Sequence, residues 1–479
     1  MFFNSLSFAF FLPIVFLLYW FVCFKKSSYQ NLLLLIASYY FYSFWDYRFL
    51  FLLLFSTLLD YFSGIKIGLS TNQKNKKFWL ILSIGINLGF LGVFKYYNFF
   101  AISFQELLKQ VGFEVDILTL NVILPVGISF YTFHGLSYVI DIYYDRIKPE
   151  TKIVDYSLFV SYFPLLVAGP IERATHLLPQ LKVTRKFNYE VAVSGLKQIL
   201  WGLFKKVVIA DQCAVYADNI FNNSIDYSGS SLLLGGIFFA FQIYGDFSGY
   251  SDIALGTSKL FGIDLLKNFS YPYFSRNIAE FWRRWHISLS SWFRDYLYIP
   301  FGGSKVKTWK KIRNVLIIFL VSGFWHGANW TFIFWGLLNA LFILPSILMK
   351  TNRVFTNVVA EGRSFPSFRE LFSMILTFLL SVIAWIFFRS ENIADAFDYL
   401  NRMIFTADLF KSSPVALNDI MPYLTLFILI EWMGRERNFA LEKFGIILPR
   451  IVRWCFYIFL VYKIYYFSGE EQEFIYFQF

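Results

Sequence analysis

Cysteine, histidine and charge are all scarce in this chain of 479 residues. Its three cysteines, Cys23, Cys213 and Cys455, lie far apart, each in or beside an apolar run, with no CxxC or zinc spacing. They indicate neither a disulfide framework nor a metal site. Charged residues make up 16% of the sequence against 57% hydrophobic ones, too few to cover soluble domains of this length. There is no GxxxxGK[ST] loop, no HExxH helix and no GxSxG elbow. P-loop phosphate chemistry, zinc proteolysis and a serine-hydrolase triad therefore have no obvious home. Tandem repeats and low-complexity linkers are missing too. The opening segment lacks a basic n-region and a small-residue cleavage site, so it reads as a retained first span.

What is present is apolar and aromatic. Mean hydropathy is +0.53, and 22% of residues are aromatic, 62 of them phenylalanine. Apolar runs of about twenty residues, the length that crosses a hydrocarbon core, recur along the chain. The fold expected is an all-α polytopic membrane protein, one integral-membrane domain over 1–479 with about 11–12 transmembrane helices. The spans fall near 5–24, 29–45, 47–63, 78–98, 119–143, 190–213, 231–262, 312–326, 329–349, 368–389, 418–433 and 451–468.

The net charge of +11 follows the loops rather than a nucleic-acid face. Lys25 and Lys26, Lys74 to Lys77, Lys182 to Lys186, Lys305 to Arg313 and Arg435 to Arg453 fall on one side. Glu106 to Asp116, Asp218, Asp226 and Glu391 to Asp408 fall on the other. Basic loops mark the cytoplasm, so both termini are expected outside the cytoplasmic membrane.

Two stretches do not read as plain spans. Residues 153–181 are interrupted by Pro164, Gly169 and Pro170, and residues 271–303 carry Arg276, Glu280, Arg283, Arg284, Arg294 and Asp295 among aromatics. Broken or charged backbone at membrane depth must be buried in protein or line a wet cavity. Both are read as re-entrant or in-plane segments.

The chain has four histidines, His134, His176, His286 and His326. His326 sits at the junction of two apolar runs, between Gly323 and Gly327, which leave room for a ligand or another helix. An ionisable group at such a place is a functional candidate, and imidazole suits proton transfer. His286 lies in the 271–303 stretch, beside Arg283, Arg284 and Arg294. These arginines could bind an anionic donor such as a coenzyme diphosphate, or acidic headgroups. His134 is expected to pack between helices, and His176 to orient the cytoplasmic mouth. Asp246 and Asp252 lie in QIYGDFSGYSDIALG among small residues that permit close helix contact. Pairing with the in-plane arginines is their expected role, and a proton-coupled transporter would also use them. The chain closes on EFIYFQF, residues 473–479, with Tyr476 its one hydroxyl.

EFWRRWHISLSSWFRDYLYIPFGG followed by SGFWHGANWTFIFWGLLNAL resembles the membrane-bound O-acyltransferases (MBOAT family). The branch it is most similar to O-acetylates extracytoplasmic polysaccharides such as peptidoglycan and alginate. PVGISFYTFHGLSYVIDIYY, AGPIER and QIYGDFSGYSDIALG fit that branch in the same order. The resemblance implies a ring of tilted helices around a central funnel, with His326 and His286 at its active site. It implies acetyl-CoA as the donor, no metal or prosthetic group, and a separate SGNH-type transferase as partner. It further implies that the C-terminal F-x-Y-F-x-F pattern, Phe474 to Phe479, offers Tyr476 as a transient acyl carrier. An interfacial aromatic anchor is the other reading of that tail. Peptidoglycan is the expected acceptor; alginate-type acetylation, D-alanyl transfer to teichoic acid and a flippase for acylated glycan are the alternatives.

Overall fold

In a bilayer a backbone can satisfy its polar groups only against itself, and the described residues accordingly form helices and no strands. The structure, a computed structural model, describes residues 1–120, 123–167, 169–405, 419–469 and 474–475. Five helices are long and apolar enough to cross a membrane: Tyr47–Leu69, Gln73–Gln110, Gly229–Leu260, Trp330–Leu348 and Phe368–Arg389. Leu6–Val22 and Met421–Gly434 are shorter apolar helices. Other expected spans are helical but shorter or more charged. The one expected at 119–143 starts only at Ile128, because Pro125 and Gly127 precede it, the latter at φ 75°. The one at 190–213 carries Lys205 and Lys206 in a π-helical turn, Phe204–Ala210.

The described chain divides into two compact units, Met1–Val193 with Thr257–Leu266, and Ser194–Gly256 with Lys267–Phe479. In the first unit, Tyr47–Leu69 packs against both Gln73–Leu91 and Ile128–Tyr143. Its polar residues are knotted together: Asp60 accepts from Ser83 and Asn87 at 2.6 and 2.8 Å, and Asn31 donates to Asp155 at 2.7 Å. The 153–181 stretch folds as three short helices, Ile153–Ser161, Phe163–Leu166 and Ala174–Leu181. Burying such broken backbone requires partners for its amides. Ser38 supplies one at Phe163, 3.0 Å, and His134 Nε2 accepts the Glu172 N–H at 3.1 Å.

The second unit is built on close helix contact. Gly249 and Gly202 face each other's carbonyls, Gly256 faces that of Gly195, and Gly245 faces that of Lys205. This small-residue seam brings Gly229–Leu260 against the helix that carries Lys205 and Lys206. The Thr308–His326 and Trp330–Leu348 helices form a tight hairpin. There a Cβ on Gly323 would strike the Phe332 carbonyl, and one on Gly336 the Phe319 carbonyl. Gly323 thus makes room for a helix rather than a ligand. Overpacking such a contact costs about 1–3 kcal/mol. Gly336→Leu is expected to lower thermal stability in detergent by that order, with acyltransfer falling in step because His326 ends the partner helix.

Candidate active site

The 271–303 stretch folds as the helices Ile278–Arg284 and Ile287–Phe293, with His286 at the break between them. His286 has φ 44° and ψ 54°, a left-handed conformation that a non-glycine residue adopts only when its surroundings impose it. The surroundings here are Asn268. Its carbonyl accepts the Ile287 N–H at 2.8 Å, and its side-chain Oδ1 faces His286 Nδ1 and Ser288 Oγ, both at 3.0 Å. The Asn268 amide nitrogen donates to Ser251 Oγ at 3.1 Å, and in this orientation its oxygen faces the ring. His286 Nδ1 is therefore the donor, and Nε2 carries the lone pair. That Nε2 is buried and has no hydrogen-bond partner among the described residues. Burial without an acidic neighbour pushes the pKa of this imidazole well below the ordinary histidine value, so it is neutral.

His326 is the last residue of its helix and is 4% exposed. Its ring lies 4.9 Å from that of Trp325, 5.0 Å from Trp335 and 5.4 Å from Phe388. Trp325 is also 6.0 Å from the His286 ring. The two histidines that the sequence singled out thus flank one indole in an aromatic interior. The other two lie in the first unit. His134 packs there between helices, and His176 Nδ1 meets Glu172 Oε2 at 2.8 Å, a hydrogen bond that raises its pKa.

The carboxylates differ from expectation. Asp246 and Asp252 do not pair with the in-plane arginines. Asp252 lies 2.8 Å from Lys205 Nζ, which also reaches Glu431 at 3.4 Å. Asp246 lies 2.7 Å from Lys206 Nζ, which also meets Asp211 at 2.9 Å. The arginines are otherwise engaged. Arg276 and Arg284 converge on Glu280 at 3.0 and 2.9 Å, and Arg283 donates to the carbonyls of Asn352 and Phe355, both at 2.6 Å. Arg294 pairs with its neighbour Asp295 and keeps a side chain 61% exposed. The lysines went unnoticed in the sequence, although two adjacent cations inside an apolar run demand acidic partners within the membrane.

Part of the C-terminal tail lies in this interior. Phe474 and Ile475 are 0% and 1% exposed, so these two side chains are not an interfacial anchor. The Ile475 N–H donates to Asp246 Oδ2 at 2.7 Å. The Phe474 ring sits 4.4 Å from Tyr250 and 6.1 Å from Phe247, and Phe247 stands edge-on to His286 at 4.6 Å. Tyr476 lies outside the described residues. Among the described residues no group of three or more His, Cys, Asp or Glu side chains is arranged to hold a metal.

Residues 144–388, which contain both His286 and His326, match the family model described as MBOAT, membrane-bound O-acyltransferase family. The chain is 39% identical over 403 residues to the probable alginate O-acetylase AlgI of Pseudomonas aeruginosa, covering 84% of this chain and 74% of that protein. It is 38% identical over 431 residues to the peptidoglycan O-acetyltransferase of Helicobacter pylori, covering 84% and 79%. The teichoic acid D-alanyltransferase of Bacillus subtilis is 29% identical over 273 residues, covering 54% and 67%. Two buried histidines in a helical membrane chain are at home in that company, and the chain is a member of the membrane-bound O-acyltransferase family.

Proposed function

We propose that this chain takes acetyl from cytosolic acetyl-CoA and passes it through the inner membrane for O-acetylation of an extracytoplasmic polysaccharide, peptidoglycan. The observation that carries this reading is the placing of the tail peptide against the face of Gly229–Leu260 that also backs His286. A donor that arrives from the cytoplasm and an acceptor outside need a carrier between them, and a tethered hydroxyl fills that role. In this reading His326 takes the phenolic proton of Tyr476 as general base. The phenolate oxygen attacks the thioester carbonyl, the C–S bond breaks, and coenzyme A leaves as the thiol after taking up the proton. The tyrosyl ester then gives its acetyl to an SGNH-type partner outside, which completes transfer to the sugar.

The tautomer of His286 restricts its part. An Nε2 lone pair cannot donate to the thioester carbonyl, so polarising that carbonyl is not its task. It can accept a hydrogen bond from an amide N–H of the pantetheine arm and so orient the donor. Arg283 and Arg284 are held by buried or backbone groups, while Arg294, paired with Asp295, keeps a side chain 61% exposed and is the arginine placed to meet the coenzyme diphosphate. The alginate and peptidoglycan relatives are almost equally similar, at 39% and 38% identity, and both names specify O-acetylation. Isoleucine is abundant and lysine outnumbers arginine, which favours an AT-rich genome and with it peptidoglycan.

Deletion of the gene is expected to remove base-labile acetate from purified sacculi. Acetate lost from a secreted polysaccharide instead would move the reading to an alginate-type acceptor. Tyr476→Phe is expected to reduce acetyl transfer to the partner to background, measured with radiolabelled acetyl-CoA. Full transfer by that variant would remove the carrier step.

A further inference from the structure

Asp246, Phe247 and Tyr250 share one face of the Gly229–Leu260 helix, since positions three and four apart are neighbours on a helix surface. All three engage the tail. Asp246 Oδ2 takes the Ile475 N–H at 2.7 Å, and the Phe474 ring sits 4.4 Å from Tyr250 and 6.1 Å from Phe247. The other carboxylate oxygen, Oδ1, faces Lys206 Nζ at 2.7 Å, and Lys206 is braced by Asp211 at 2.9 Å. The side chains of this trio are 3%, 1% and 13% exposed for Asp246, Lys206 and Asp211. A carboxylate paired with a lysine accepts a backbone N–H more strongly than a neutral carbonyl would. An isolated buried carboxylate would instead neutralise. The Asp246 contact is made to backbone, so it serves the position of the segment rather than the identity of residue 475.

We infer that Asp246, held by Lys206 and Asp211, is a docking clamp for the chain's own C-terminal segment, fixing the peptide at Ile475 on the helix face whose Phe247 stands against His286. Its functional consequence rests on the carrier reading: the residue that follows Ile475 in the sequence is Tyr476. The clamp makes Asp246 a positioning residue, acting on the acyl acceptor through its backbone. Phe474, buried against Tyr250 and Phe247, is the second hold on the segment.

Hydrogen–deuterium exchange on the full-length protein in nanodiscs tests this, paired with mass spectrometry of the C-terminal peptide after incubation with isotope-labelled acetyl-CoA. The variants are Asp246→Ala, in which Asp211 still pairs with Lys206, and Phe474→Ala, which alters only the tail. Each is expected to speed exchange of the tail amides at least ten-fold and to cut acetyl occupancy of the tail at least ten-fold. Asp252→Asn, at the neighbouring ion pair, is expected to leave the tail protected. Rapid tail exchange in the unaltered protein, or protection unchanged in both variants, overturns the clamp. Acetyl present on the tail at equal occupancy in the docked and released chains overturns its positioning role. If both variants release the tail and no chain, the unaltered one included, carries acetyl there, the clamp stands and the carrier reading falls.

Discussion

His326→Ala is expected to lower acetyl transfer by about 10²–10⁴-fold, the usual contribution of a positioned proton acceptor. The ring is 4% exposed and enclosed by Trp325, Trp335 and Phe388, so no bulk water substitutes readily for it. The hairpin that carries it is held by the Gly323 and Gly336 contacts, which the substitution does not touch. Thermal stability in detergent should therefore change far less than activity. His326→Gln, which keeps a polar side chain of comparable reach, should be as inactive. Transport of an acylated glycan by a flippase would survive either change, so thioester cleavage by the purified variants separates the two readings.

Lys205→Met is expected to cost about 3–5 kcal/mol, the range for removing one partner of a buried ion pair. Lys205 Nζ faces Asp252 at 2.8 Å and Glu431 at 3.4 Å, with side chains 5%, 14% and 3% exposed. Without it the two buried carboxylates keep only the more distant attraction of Lys267 as counter-charge. Their other contacts, from Gln198 to Asp252 at 2.8 Å and from Trp201 and Tyr244 to Glu431 at 3.0 and 2.6 Å, do not supply a counter-charge. Adding Asp252→Asn and Glu431→Gln to Lys205→Met should restore part of the loss, since the uncompensated charge and not the missing attraction dominates. Thermal unfolding of the single and triple variants measures both. Arg294→Ala, at an exposed pair, should move stability by no more than about 1 kcal/mol.

The helices were legible because length and apolarity alone dictate them: Phe368–Arg389 and Trp330–Leu348 lie where hydropathy places them. The breaks at 153–181 and 271–303 were legible from proline, glycine and arginine, which a lipid-facing span does not hold in such number. His286 and His326 stood out because burying an imidazole needs a reason. Partner assignments were not legible. The choice of Lys205 and Lys206 over the arginines for Asp252 and Asp246 depends on a glycine seam bringing two helices together. Asn268 escaped notice because an asparagine in a loop carries no spacing signal, and only its contacts with Ser251 and His286 reveal its role. The burial of Phe474 and Ile475 was equally hidden, since an aromatic tail serves an interface or an interior equally well by composition.

In the proposed relay the histidine pair delivers acetyl to the tail held at Asp246. Mass spectrometry of the C-terminal peptide after incubation with isotope-labelled acetyl-CoA addresses it directly. The account predicts labelled acetyl on Tyr476 in the unaltered protein and none in His326→Ala. A tail that never carries acetyl while labelled acetyl reaches the partner would contradict it.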